Sequence, residues 1–316
     1  LQYRHLGKYG VRVSEICLGS WLTYGNAKDE SVARDCIHTA YDLGINFFDT
    51  ANVYARGETE KVVGKVLKDF PRESFVLATK VYFPMGPGPN DRGLSRKHII
   101  EQCNASLKRL GVDYIDLYQA HRYDPNVPLS ETLMAFDHLV QQGKILYYGV
   151  SEWSASQIAH ATDIVRLGGL APIASDQPYY NLLDRDIEQE VLPLCQREGI
   201  GIINFSPLAQ GILTGKYKPG EPLPQGSRAT DPKQNAFLSE EHLGEDVLTR
   251  VQNLKTIAEQ EGLTLSQLAL AWCLRHEILS SVIIGATRAE QVKENAEAAG
   301  KKLSAQTLEA IDKLFS

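Results

Sequence analysis

The sequence predicts an α/β fold: a closed (β/α)8 barrel of the TIM type, with an N-terminal β-hairpin cap, a long loop after the seventh strand and two helices beyond the eightfold repeat. Three observations lead there. A short apolar run, a few loop residues and a longer stretch of helical periodicity recur along the chain, which is the pattern of a parallel sheet. The runs number eight, one for each strand of such a barrel. No composition shift or linker divides the 316 residues, so 1–316 reads as one domain rather than a doubly wound sheet with a second domain.

Each element has its own signal. Tyr3-Arg4-His5-Leu6 and Val11-Arg12-Val13, joined through Gly7-Lys8-Tyr9-Gly10, read as a hairpin closing one end of the barrel. The eight strand-like runs are Ile16-Leu18, Asn46-Asp49, Phe75-Lys80, Ile115-Gln119, Ile145-Val150, Ala174-Gln177, Gly201-Phe205 and Ser281-Ile284. Between them, Ala33, Cys36, Ile37, Ala40 and Leu43 keep helical spacing before Gly44, as do Ile99, Ile100, Cys103, Leu107 and Leu110 before Gly111. Further helices are expected near 58–68, 128–142, 154–166, 186–198, 264–277 and 288–299. The extra helices are one near 247–261 and one begun by Ser304 that carries Leu308, Ile311 and Leu314. The stretch from Ser206 to Asp246 holds four prolines between 207 and 224 and another at Pro232. At about 40 residues it is too long for a simple connection, and a lid over substrate or cofactor is expected.

Composition narrows the function. Charged residues make up 23% and apolar residues 43%, ordinary globular usage that excludes a disordered or collagen-like chain. With 33 basic against 39 acidic residues, the net charge of -6 offers no footprint for a nucleic-acid backbone. No run reaches the roughly 18 apolar residues of a membrane span, and no signal peptide opens the chain, so a soluble cytoplasmic protein is expected. Five scattered cysteines without a C-x-x-C pair argue against a disulfide framework or a zinc knuckle, and each is expected as a small buried residue. Eight histidines without an H-x-x-x-H or H-E-x-x-H pair leave no local metal site expected.

Active sites of such barrels form at the C-terminal ends of the strands. Four polar residues stand there: Asp49 ends the second run, Tyr54 lies five residues on, Lys80 ends the third and His121 follows the fourth. Taken singly, Asp49 and Lys80 could be a structural ion pair. Together the four form a proton donor. A phenol titrates at about 10 in water, and a neighbouring ammonium such as Lys80 is expected to lower it. Asp49 would keep Lys80 charged, and His121 would hydrogen-bond the same carbonyl oxygen and steer the substrate. This equipment suits reduction of an aldehyde or ketone. Trp21, Tyr54, Tyr82, Phe83, His121 and Trp153 are expected to line the substrate site, the aromatics as an apolar wall.

Phe48-Asp49-Thr50-Ala51 with Tyr54, Ala78-Thr79-Lys80 and His121 resemble, in order and spacing, the catalytic tetrad of the aldo-keto reductases. Within that superfamily, Gly93-Leu94-Ser95-Arg96-Lys97-His98-Ile99-Ile100, Ser206-Pro207-Leu208-Ala209 with Gly215-Lys216-Tyr217, and Gln267-Leu268-Ala269-Leu270-Ala271-Trp272-Cys273-Leu274 resemble the branch of the voltage-gated potassium channel beta subunits and their bacterial and plant relatives.

The resemblance implies NADP(H) lying across the barrel mouth without a Rossmann domain, and no G-x-G-x-x-G follows a first strand. By similarity Ser151 and Gln177 hold the nicotinamide carboxamide, Phe205 stacks on the ring, and Trp21 and Asp49 border it. Ser206, Leu208, Gly211, Lys216 and Arg228 line the pyrophosphate. Gly285, Thr287, Arg288, Gln291, Glu294 and Asn295 surround the adenosine end, where a helix opening at Gly285-Ala286-Thr287-Arg288 suits a phosphate. Glu152 stands where many aldo-keto reductases have Asn. His121 stands where channel beta subunits often have Asn, which favours a competent reductase. The resemblance also admits a homo-oligomer, and a redox-sensing subunit bound to a membrane channel as the alternative function. Two other classes fail on the residues: Gly211-Ile212-Leu213-Thr214-Gly215-Lys216 is one residue short of a P-loop, and Trp153 breaks the G-x-S-x-G elbow around Ser151.

Overall fold

The computed structural model describes residues 1–21, 30–231, 235, 238 and 240–315. Strands β1 (Tyr3–His5) and β2 (Arg12–Ser14) pair antiparallel, Tyr3 opposite Ser14, as the expected hairpin. Eight strands then alternate with helices: β3 (Ile16–Gly19), β4 (Phe47–Asp49), β5 (Val76–Val81), β6 (Ile115–Ala120), β7 (Ile145–Ser151), β8 (Ile173–Gln177), β9 (Gly201–Asn204) and β10 (Leu279–Ile284). All neighbours are parallel, and β10 closes on β3, so the sheet is the predicted (β/α)8 barrel.

Alternation along each strand divides the core in two. Cys17, Phe47, Val76, Ala78, Leu117 and Ile203 fill the barrel's lower interior together with Leu6 and Val13 from the hairpin, which plugs the end remote from the strand C-termini. Gly7 makes that plug fit: a Cβ there would run into the Gly199 carbonyl, and its φ of +57° is one that glycine adopts readily. The outward-facing residues, such as Tyr118, Tyr148 and Ile202, pack under the helix ring with all five cysteines buried in one or other layer.

The ring consists of α1 (Glu30–Asp42), α2 (Glu58–Leu67), α3 (Arg96–Leu110), α4 (Leu129–Gln141), α5 (Ala155–Gly168), α6 (Val191–Glu198), α7 (Glu245–Gln260), α8 (Leu265–Cys273), α9 (Ala289–Ala296) and α10 (Ala305–Phe315). Ser154 with Gln157 and Thr264 with Gln267 form reciprocal capping boxes that start α5 and α8. Each such cap contributes roughly 1 kcal/mol. The helix expected over 186–198 is shorter: residues Asp186–Glu188 make a single 3-10 turn and α6 begins at Val191. Pro193 has no N–H to continue a helix begun at 186, but it is tolerated in a first turn.

The long segment after β9 is not a free lid throughout. Ala209, Ile212, Leu213 and Tyr217 are buried in the core, and Gln252 of α7 donates to the carbonyls of Gly215 (3.2 Å) and Tyr217 (3.1 Å). Residues 222–226 are exposed. Pro232 lies outside the described residues.

Candidate active site

The parallel topology brings the end of every barrel strand to one rim, so residues far apart in sequence converge there. Asp49 and Lys80, from adjacent strands, meet in the interior: Lys80 Nζ, fully buried, donates to Asp49 Oδ2 at 2.5 Å and to the Thr50 carbonyl at 2.9 Å. Asp49 Oδ1 accepts from Gln177 Nε2 at 3.1 Å and Gln119 Nε2 at 3.4 Å, while Ser20 holds the Asp49 carbonyl. Tyr54 follows β4 on a 3-10 turn, Tyr54–Gly57, in which Ala55 (φ 45°) and Arg56 (φ 53°) are left-handed. Such non-glycine residues cost roughly 1–2 kcal/mol each, strain held in the turn that follows Tyr54. Lys80 Nζ lies 5.3 Å from the centre of the Tyr54 ring, and the His121 ring is 5.9 Å from it, edge on.

The electrostatics correct one expectation. Burial pushes the Tyr54 hydroxyl up from its ordinary value, and the charge and hydrogen bond of Lys80 only offset part of that rise. The phenol is therefore held protonated rather than made more acidic, because desolvation outweighs one nearby cation. Burial alone would depress Lys80, but Asp49 and Tyr54 raise it above the ordinary lysine value. His121 is held well below its ordinary value by burial, then by Lys80 and Arg122, so it is a neutral imidazole at neutral pH. Its Nδ1 is buried with no hydrogen-bond partner among the described residues.

Around this centre the aromatic residues only partly form the expected wall. Phe83 is 4.8 Å from His121 and Tyr82 is 5.2 Å from Phe83, both edge on and half-buried. Trp153 is 3% exposed and packs instead on Tyr123 at 5.0 Å. Trp21 faces the long segment, with the Arg228 guanidinium 5.8 Å from its ring.

The rim of β7 to β10 gathers the remaining candidates. Ser151 Oγ donates to the Gln177 carbonyl at 2.7 Å. Glu152, left-handed at φ 59°, turns its carboxylate onto the Tyr179 N–H at 2.5 Å, and Tyr179 lies 5.2 Å from Phe205. Glu152 thus braces the neighbouring strand end. Ser206, Ala209, Gln210 and Gly211 all have positive φ, and Leu208 accepts the Gly211 N–H, folding this stretch into a tight turn. Gln210 donates to Ser206 Oγ at 2.5 Å and accepts from Arg228. A Cβ on Gly211 would lie 2.9 Å from Lys216 Nζ, so glycine lets that ammonium cross the turn. Beyond β10, Gly285, Thr287, Arg288 and Glu294 are exposed, Gln291 is half-buried and Asn295 is buried. Gln291 Oε1 accepts from the Thr287 N–H at 2.8 Å, in the turn ahead of α9, while Arg288 at the head of that helix makes no side-chain cap. Lys216, Arg228 and Arg288 form no salt bridge to a carboxylate among the described residues.

Sequence reasoning missed Gln119, Thr50, Tyr179 and Gln210. Gln119 was within reach, since it stands next to the last residue of β6, just before His121. Gln210 carries no local signal, because only the fold of the long segment brings it between Ser206 and Arg228.

The Aldo/keto reductase family model matches residues 15–315. Three similar proteins, each provisionally designated a voltage-gated potassium channel subunit beta, come from Schizosaccharomyces pombe, Arabidopsis thaliana and Oryza sativa subsp. japonica. The first is 47% identical, with 99% of this chain and 93% of that protein covered. The second is 45% identical over 94% and 91%, and the third 43% identical over 99% and 95%. Proteins of this oxidoreductase family generally use NAD(P)H. With a closed eight-stranded barrel, a family match over nearly its whole length and relatives above 40% identity, the chain belongs to the aldo/keto reductase family.

Proposed function

We propose that this protein reduces small aldehydes and ketones to alcohols with NADPH, with residues 1–316 acting as one catalytic unit in the cytoplasm and Tyr54 as proton donor. The observation that carries the reading is the convergence of the Asp49–Lys80 pair, Tyr54 and neutral His121 at the barrel mouth. The surrounding residues fit an extended anionic dinucleotide: Lys216, Arg228 and Arg288 offer positive charge without a carboxylate partner among the described residues, and Gly211 leaves room beside Lys216. Ser151 and Gln177, with Trp21 and Asp49 beside them, would hold the nicotinamide end and Phe205 would cover it. Ser206, Leu208, Gly211, Lys216 and Arg228 would take the pyrophosphate, and Gly285, Thr287, Arg288, Gln291, Glu294 and Asn295 the adenosine.

When bound, NADPH supplies the hydride. The Tyr54 hydroxyl donates a proton to the substrate oxygen, and the phenolate left behind is stabilised by the Lys80 ammonium, which Asp49 holds in place. His121, neutral and buried, hydrogen-bonds the same oxygen and sets the angle of the carbonyl. Tyr82 and Phe83 exclude water beside it. A panel of small aldehydes and ketones assayed by NADPH oxidation tests the reading; no turnover of any by the wild-type protein, beside full NADPH binding, overturns it.

The names of the three relatives favour a second reading, a nucleotide-binding subunit of a potassium channel. No described helix is long and apolar enough to cross a membrane, so such a role would be that of an attached subunit. Recovery of the protein with a solubilised channel, compared with its turnover of NADPH, separates the two.

A further inference from the structure

We infer that Arg122 is a specificity-determining residue that selects, among aldehydes and ketones, those carrying a carboxylate across a short apolar body. The inference rests on the reading of the site as a carbonyl reductase and names the substrate class of that site.

Arg122 comes directly after His121 where β6 ends, so its guanidinium stands at the same rim. Two contacts hold it there. Nη1 donates to the His121 carbonyl at 2.6 Å, and Cζ lies 5.5 Å from the centre of the Phe83 ring. Phe83 is in turn 4.8 Å from the His121 ring, so one aromatic side chain touches both the cation and the imidazole. The charge is felt at the reacting end of the site: after burial and Lys80, Arg122 is a further cause that depresses His121.

This cation has no carboxylate of its own. No acidic side chain among the described residues pairs with Arg122, and the nearest one in sequence is already engaged by the main chain. Asp124 Oδ2 accepts from the Leu94 N–H at 2.8 Å and its Oδ1 from the Asn126 N–H at 3.0 Å. The chain on either side is fixed: the His121 N–H donates to the Val81 carbonyl at 3.0 Å, and Tyr123 packs on Trp153 at 5.0 Å. Lys80, the other cation at this centre, is fully buried and held by Asp49 and the Thr50 carbonyl. A half-buried guanidinium that is held in place yet left unpaired is fitted to recognise an anion, because it is ordered before the ligand arrives.

The geometry also sets the kind of anion. A planar guanidinium with one N–H given to a main-chain carbonyl keeps the rest of its fork for a planar carboxylate. One positive charge matches the single charge of that group better than it matches a phosphate dianion. Tyr82 and Phe83, half-buried beside it, suit an apolar segment between the carboxylate and the carbonyl.

The test measures kcat/KM with NADPH for meta- and para-formylbenzoate beside the matching formylbenzamides, which have the same shape and no charge. Wild-type protein is expected to favour the carboxylate of at least one pair by about 10-fold, the lower value of a hydrogen bond to a charged group, and chiefly through KM. In Arg122→Gln that ratio should fall to within about 2-fold. Arg122→Met removes charge and polarity together and should behave in the same way; it also serves if the glutamine variant folds poorly. A wild-type ratio near unity for both pairs overturns the inference. So does a ratio that survives in either folded variant, including the case in which all substrates slow together because Arg122 serves only the fold. Wild-type protein that binds NADPH but turns over none of these aldehydes overturns the carbonyl-reductase reading itself, which is a separate result.

Discussion

Lys80 and Tyr54 meet across the barrel mouth with the ammonium 5.3 Å from the centre of the phenol ring, and the pair works in the opposite sense from simple acidification. Burial keeps Tyr54 above its ordinary value despite the cation, and Lys80 is raised as well. Tyr54 is thus a proton donor at every pH near neutrality. The rate of carbonyl reduction should stay level from pH 6 to 9 and fall only on the alkaline side; a falling limb centred near neutrality in the pH profile of kcat would remove Tyr54 as the donor.

Tyr54→Phe should cut carbonyl reduction by about 10² to 10⁴ while NADPH binding stays nearly intact. His121 is neutral, with a ring nitrogen that has no hydrogen-bond partner among the described residues, and positions more than it protonates. His121→Ala should raise KM and reorder substrates with a smaller loss of kcat. Steady-state kinetics on both variants check the assignment, and a dead His121→Ala beside an active Tyr54→Phe would exchange the roles.

Lys80→Met leaves the buried Asp49 side chain without its ammonium partner, with only the amides of Gln177 and Gln119 donating to it from other side chains among the described residues. Breaking a buried pair in this way costs roughly 3–5 kcal/mol, so the variant should lose stability as well as activity. Urea denaturation of the two proteins measures the difference.

Preference for NADPH over NADH should rest on Arg288 more than on Gln291, whose oxygen is already engaged by Thr287. Arg288→Ala should lower NADPH affinity by about one to two decades and leave NADH nearly unchanged, since a charged hydrogen bond is worth roughly 1.5–3 kcal/mol. Equal dissociation constants in the wild-type protein would place the phosphate elsewhere.

Hydrogen exchange should divide the long segment. Residues 209–217, anchored in the core by Ala209, Ile212, Leu213 and Tyr217, should be protected with or without nucleotide, whereas 218–231 should gain protection when NADPH is added. Uniform exchange across both stretches would contradict that division.

Asp176 is fully buried, and neither carboxylate oxygen has a hydrogen-bond partner among the described residues. Burial, aided by Glu152, raises its carboxyl well above the usual range. Between the ordinary value, about 3.9, and that raised value the folded state holds a proton that the unfolded chain has lost, so this group's contribution to stability declines as pH rises. Asp176→Asn removes the titration. The melting temperature of the variant relative to wild type should increase by a few degrees on going from pH 4 to 8; a difference independent of pH would mean that Asp176 is ionised in the fold.

Much of the fold was legible because parallel barrel strands and amphipathic helices write their periods directly into the chain. Phe47–Asp49, Val76–Val81 and Ile115–Ala120 all fall on predicted runs, and a Cα periodicity needs no partner to be recognised. The candidates Asp49, Tyr54, Lys80 and His121 were readable for the same reason: the end of a strand is a place in the sequence as well as in space. What the sequence withheld were quantities set by surroundings. The protonation of Tyr54 depends on how much water burial removes, a sum over elements distant in the chain. The hydrogen bond of Thr287 to Gln291 and the division of the long segment into core and exposed parts depend on contacts made only after the chain closes. The Asp49, Gln119 and Gln177 cluster joins three strands across separations of 58 to 128 residues. Local propensity decides what a segment can become, whereas desolvation and hydrogen-bond partnership are properties of the closed barrel, and these set the chemistry at its mouth.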